Sequence, residues 1–146
     1  MRIVADASVA VKWAIPDPDR EEHVDKALAL LGDVKAGKVV LFQPPHWIAE
    51  VTAVLTRLQP EIVEDVVDLL DAMELQIVAS SAVYKRASRI ARDLNKHVFD
   101  SLYHAVAFEY DGILVTADGT YYRKARRLGR LVPLAAWKGA EAASND

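Results

Sequence analysis

Cysteine is entirely missing from this chain of 146 residues. Disulfide frameworks, thiolate zinc sites and cysteine nucleophiles are thereby excluded. Long apolar runs are missing too: nothing approaches the roughly 18 consecutive apolar residues of a membrane span. The apolar stretch that follows Arg2 is too short to be the core of a secretory signal. There is no internal repeat of solenoid length and no low-complexity block. These absences suit an intracellular, cytoplasmic protein with no membrane role. The length fits one domain, expected over residues 1–137, with 138–146 a flexible C-terminal tail.

What is present is ample core material, 52% hydrophobic, and an uneven spread of charge beneath a net −3. Residues 1–80 carry 7 Lys/Arg against 14 Asp/Glu, whereas residues 81–130 carry 10 against 5. The total argues mildly against a nucleic-acid binder. A local basic surface is what matters electrostatically, and the second half can supply one.

Short apolar runs alternate with helical patterns. Residues 2–5 read as a buried strand, because Ile3, Val4 and Ala5 are continuously apolar rather than alternating. Further strands are expected at 39–42, 76–78, 113–116 and 131–134. Helices are expected over 7–14, over 20–36 with Asp19 as cap, and from Pro44-Pro45 along a Trp47/Val51/Val54/Leu55/Leu58 stripe. Others are expected over 60–73, from a Ser80 or Ser81 cap to Leu94, over 99–110, and over 118–128. This alternation predicts an α/β protein, its central parallel sheet of four to five strands covered on both faces. Ligands in such sheets bind beyond the carboxyl ends of the strands.

Two of the apolar runs stop at an aspartate on that edge: Arg2-Ile-Val-Ala-Asp6 and Ile113-Leu-Val-Thr-Ala-Asp118. Each aspartate also suits the N-cap of the helix that follows it. Glu50 lies about 60–80° from the centre of its helix's apolar stripe, on the border of the buried face. There it either joins a site or packs its stem with its head in water, paired with Arg57. Asp100 stands beside the stripe of its own helix, where the helix dipole alone would favour it. His104, one turn on, is a possible partner for Asp100 or an ordinary core histidine. Four carboxylates brought together would repel one another until some became neutral, unless a divalent cation received them. A metal site with four oxygen ligands is therefore the first functional reading.

Val-Ala-Asp-Ala-Ser-Val-Ala-Val-Lys-Trp, Pro-Pro-His-Trp-Ile-Ala-Glu-Val-Thr-Ala-Val-Leu, Val-Phe-Asp-Ser-Leu-Tyr-His-Ala-Val-Ala and Leu-Val-Thr-Ala-Asp together resemble the PIN-domain family. Within it they look most like the small single-domain toxin ribonucleases of type II toxin–antitoxin systems, the VapC-like proteins. The likeness spans roughly residues 2–134. The family's four acids fall on Asp6, Glu50, Asp100 and Asp118, and its accompanying small hydroxyl residues on Ser8 and Thr116. Two departures are Ala53, where asparagine is common, and Ser101, where alanine is usual. Neither removes a carboxylate.

The resemblance implies a three-layer α/β/α PIN-like fold and dependence on Mg²⁺ or Mn²⁺. It also implies endonucleolytic cleavage of an RNA substrate, a homodimer, and a small antitoxin partner. Carboxylate oxygens suit Mg²⁺, which keeps several waters and takes few protein ligands. For grip on RNA, Lys85, Arg89, Arg92 and Lys96 recur on one helix face. Tyr121, Tyr122, Arg123, Lys124, Arg126, Arg127 and Arg130 form a second basic, partly aromatic cluster that could contact phosphates and stack bases. Both groups also read as plain solvated helix faces. Two rival readings remain: a receiver-type phosphotransfer domain, which gives Glu50 and Asp100 no role, and a non-catalytic interaction module whose acids bind a basic partner.

Overall fold

In the computed structural model, residues 1–73 and 75–143 are described. Strand β1 (Arg2–Ala5) leads into α1 (Ala7–Ala14), and α2 (Val24–Lys35) precedes β2 (Val40–Gln43). Helices α3 (Trp47–Leu58) and α4 (Val63–Ala72) then lead to the short strand β3 (Gln76–Ile77). Two long helices follow, α5 (Ser81–Leu94) and α6 (Val98–Glu109), and then β4 (Ile113–Thr116). The chain continues through α7 (Gly119–Ala125), β5 (Leu131–Pro133) and α8 (Ala140–Ala143).

All strand pairs are parallel, in the order β3-β2-β1-β4-β5. Successive residues of a strand point to opposite faces, and both faces are buried here. Val4 and Leu114 join a core with α1, α3, α5 and α6, while Ile3, Ala5, Leu41 and Val115 join one with α2 and Trp137. The expected α/β/α layering and five-stranded parallel sheet are therefore present. From β1 the chain builds outward first through β2 and β3, and later on the opposite side through β4 and β5. The order reverses between β1 and β4, the kind of crevice where open α/β sheets bind ligands. Asp6 and Asp118 follow those two strands directly.

Several boundaries differ from expectation. Asp19 does not cap α2; its backbone N–H donates to the Asp17 side chain at 3.0 Å, within a turn that delays the helix to Val24. His23, at φ 57° in the left-handed region, makes the entry. Pro44 and Pro45 form a turn ahead of α3, with Trp47 N–H donating to the Pro44 carbonyl at 3.3 Å. Pro60 opens a 3₁₀ turn before α4, and the helix expected to reach 128 ends at Ala125, with a 3₁₀ turn over Arg126–Leu128. Ser80, not Ser81, caps α5. Within the tail expected over 138–146, Ala140–Ala143 form α8, and Trp137 and Ala140 both donate to the Asp33 carboxylate at 3.3 Å. Its last part, 144–146, lies outside the described residues. No helix among the described residues is long and apolar enough to cross a membrane.

Candidate active site

Strand β1 delivers Asp6 to the sheet edge, and one buried side chain secures that delivery. Gln43 is 0% exposed; its amide accepts from Ala5 N–H at 2.9 Å and donates to the Ala5 carbonyl at 2.7 Å. Past the β1–β2 pairings of Arg2 with Val40 and Ile3 with Leu41, the side chain of Gln43 thus replaces a strand. Pro44, lacking an N–H, ends the ladder just beyond it.

Asp6 caps α1, accepting from Ser8 N–H at 3.1 Å, and both its oxygens accept hydrogen bonds, from the Ser8 and Thr116 hydroxyls. Each hydroxyl in turn accepts a backbone N–H at 3.0 Å, Ser8 from Ala117 and Thr116 from Asp118. The two strand ends are thereby tied together through Asp6. Burial pushes the Asp6 carboxyl up to about 6, partly offset by the two hydroxyls, and Asp118 adds a further upward push. Asp118 caps α7, accepting from Thr120 and Tyr121 N–H at 3.0 and 3.1 Å. The Asp100 carboxyl is also raised, by burial first, then by Glu50 and Asp118; Lys96 and His97 pull the other way.

Glu50 does not pair with Arg57. Its Oε1 lies 2.6 Å from His46 Nε2, one turn earlier on the chain. That nitrogen also faces the Phe99 carbonyl, which can only accept, at 2.9 Å, so its proton is directed there. Glu50 Oε1 consequently receives no aligned hydrogen bond although it is buried. Tyr103 packs its ring on His46, and its hydroxyl is buried beside Glu50. Burial and the Glu50 charge push the Tyr103 hydroxyl far up, so it stays protonated.

All four acids line one cavity of about 410 Å³, together with Ser8 and Tyr103. An all-oxygen donor set suits hard divalent cations. Among the described residues, though, no three such side chains are already drawn close enough to hold an ion. The reason is visible in their bonds: Asp6 is spent on hydroxyls, Asp118 on a helix start, and Glu50 leans toward His46.

Other expected residues fall differently. His104 does not meet Asp100; it is 0% exposed, with Nε2 2.8 Å from the Gly129 carbonyl and Nδ1 2.9 Å from the Tyr121 hydroxyl. A carbonyl only accepts, so Nε2 carries the proton and the Tyr121 hydroxyl donates to Nδ1. Burial lowers the His104 pKa and keeps the ring neutral. Tyr121 is therefore a buried structural group and not a platform for RNA bases. Ser101 is buried beside it, whereas Ala53 is exposed. Lys85 and Arg89 on α5 are exposed, as are Arg123, Lys124, Arg126 and Arg127 after Asp118; none lines the cavity. Sequence reasoning missed the supporting residues Gln43 and His46 and three residues that line the cavity, Lys12, Glu21 and Tyr103. The four-residue step from Ser8 to Lys12, which puts both on one helix face, was the available signal for Lys12.

A family model for the PIN domain matches residues 3–127. Among solved structures, the chain is similar to one from the VapBC2 complex of Rickettsia felis bound to a DNA fragment from its promoter. The TM-score is 0.63 at 18% identity, covering 91% of this chain and 97% of that one, a likeness of fold. No curated protein matches the sequence significantly.

Proposed function

Because the chain belongs to the PIN-domain family, we propose that its acid-lined cavity is the active site of a Mg²⁺- or Mn²⁺-dependent endoribonuclease. In this reading the chain is the toxin of a toxin–antitoxin pair. The observation that supports it is the meeting of Asp6, Glu50, Asp100 and Asp118 in one cavity at the point where the strand order reverses. A receiver-type phosphotransfer domain would give Glu50 and Asp100 no work.

Asp6, Asp100 and Asp118, helped by Glu50, are the proposed ligands. When bound, the cation supplies the charge that attracts a phosphodiester and lowers the pKa of an attacking water. Ser8 and Thr116 hold the Asp6 carboxylate at a fixed angle, so that its position at the sheet edge does not depend on the ion. The backbone N–H groups at the start of α7 do the same for Asp118. Hydrolysis of this kind leaves 5′-phosphate and 3′-hydroxyl ends. Arg123, Lys124, Arg126, Arg127, Lys85 and Arg89 are the proposed contacts to more distant phosphates. The Rickettsia complex supports a small antitoxin as partner, and a homodimer is expected from the family resemblance.

The test is incubation of the full chain with total RNA in Mg²⁺, in Mn²⁺ and in EDTA. Cleavage is expected with either ion, none in EDTA, and none with Asp6→Asn or Asp118→Asn. Undiminished cleavage by the purified double variant would remove the carboxylates from the chemistry.

A further inference from the structure

Among the described residues, one cationic side chain lines the same cavity. Lys12 lines it from α1 and is only 6% exposed. Lysine is almost never so buried without a close partner. Here the ammonium reaches Glu21 Oε2 at 4.0 Å, the outer limit of an ion pair. A pair this long does little to offset the cost of taking an ammonium out of water.

Glu21 sits on the segment between α1 and α2, which does not need Lys12 to hold its place. Arg20 fastens that segment to the end of α3, donating to the Gln59 side chain at 2.7 Å and the Leu58 carbonyl at 3.3 Å. Asp17 closes it from within, its carbonyl accepting Arg20 and Glu21 N–H at 3.0 and 2.9 Å. The strap is secured twice over, and the Lys12–Glu21 contact adds little to it. Lys12 also follows Ser8 by four residues, so it stands one turn, about 6 Å, further along the same face of α1. Ser8 holds Asp6; Lys12 therefore faces the next part of the cavity beyond the acids.

We propose that Lys12 is a substrate-binding residue that grips an RNA phosphate adjacent to the one being cleaved, with Glu21 occupying the ammonium until RNA displaces it. This rests on the nuclease reading above. A polyanion entering a cavity lined by five acids needs positive charge beyond what a metal site supplies. The exposed arginines lie outside the cavity, and Lys12 is the cation within it. Lysine suits the task, since its ammonium meets phosphate as a compact charge on a flexible stem.

The experiment measures kcat, KM and the salt dependence of kcat/KM on a labelled single-stranded RNA of mixed sequence, with Mn²⁺. Lys12→Met, which keeps the stem's length and apolar packing, is expected to raise KM about tenfold or more. It should also make the plot of log(kcat/KM) against log[salt] shallower by about 0.7, one phosphate contact on a single strand. Lys12→Arg should recover most of both changes, and Glu21→Gln should lower KM. Thermal melts of each variant separate loss of grip from loss of fold. If Asp6→Asn abolishes cleavage while Lys12→Met matches the wild type in KM and salt slope, the proposal is overturned and the nuclease reading stands. A wild-type chain that cuts no RNA with either ion overturns both.

Discussion

Asp6 is held by two hydroxyls and a helix start, yet burial still raises its carboxyl to about 6. The hydroxyls favour the anion, and desolvation together with Asp118 disfavours it by more. An acid whose folded pKa exceeds its unfolded 3.8 stabilises the fold most when protonated. That contribution is fully present below pH 3.8, declines as pH rises, and is gone above about 6. The two-unit gap corresponds to about 3 kcal/mol of folding free energy at most. Asp6→Asn keeps a cap and an acceptor while removing the charge. Without divalent ions it should gain at most about 1–2 kcal/mol at neutral pH, the full gap being reduced by the weaker bonds a neutral amide oxygen accepts and by the hydroxyl bond that its NH2 cannot accept. Below pH 4 the gain should vanish. Urea melts of both proteins in EDTA across this range check it; a constant difference at all pH values would mean that Asp6 does not titrate as its surroundings dictate.

At the scale of elements, the strand ends are set by side chains more than by strand pairing. Gln43 satisfies both backbone groups of Ala5, the residue immediately before Asp6. Gln43→Leu preserves volume but strands a buried N–H and a buried carbonyl, at about 1–3 kcal/mol each. A loss of about 2–4 kcal/mol in a denaturant melt is expected, along with faster amide exchange at Ala5. Unchanged exchange there would show that another group takes over. Such a role was not legible in the sequence, where Gln43 is simply the polar residue after Val-Leu-Phe. The strands themselves were legible, because continuous apolar runs bounded by Asp, Gly and Pro have few other uses. The helices were legible from their stripes, except at α2, whose entry depends on His23 adopting a left-handed backbone that no local pattern announces. The four acids could be placed because three adjoin strand or helix starts and Glu50 borders a buried stripe. Lys12 was legible only through its four-residue step from Ser8, and the partners of His104 were not legible, since an isolated Lys or His on a helix gives no sign of what stands opposite in space.

Across the whole molecule, opposite charges are sorted. The acidic first 80 residues supply Asp6, Glu50 and Glu21 to the cavity, while most of the basic residues of 81–130 stay on the outside. On α5, Lys85 and Arg89 are exposed beside Arg92, whose contact with Asp93 is 3.7 Å long and open to solvent. After Asp118, Arg123, Lys124, Arg126 and Arg127 are exposed, and Arg130 is engaged at 2.7 Å by Asp111. The two groups differ in connection to the site: α7 begins at Asp118 itself, whereas α5 adjoins it through α6, on which it packs, and through Lys96 just past its end, near Asp100. In the proposed nuclease reading, phosphates extending from a cleavage site at Asp118 would therefore meet the α7 group first. Replacing Arg126 and Arg127 together by Gln should weaken RNA affinity uniformly across sequences and reduce the salt slope by about 0.7 for each phosphate no longer neutralised, with kcat retained. The equivalent change at Lys85 and Arg89 should have the smaller effect. Competition binding over a range of salt concentrations decides between them; a larger effect from α5 would mean that the strand leaves the cavity past Asp100 and Lys96, along the α5–α6 side.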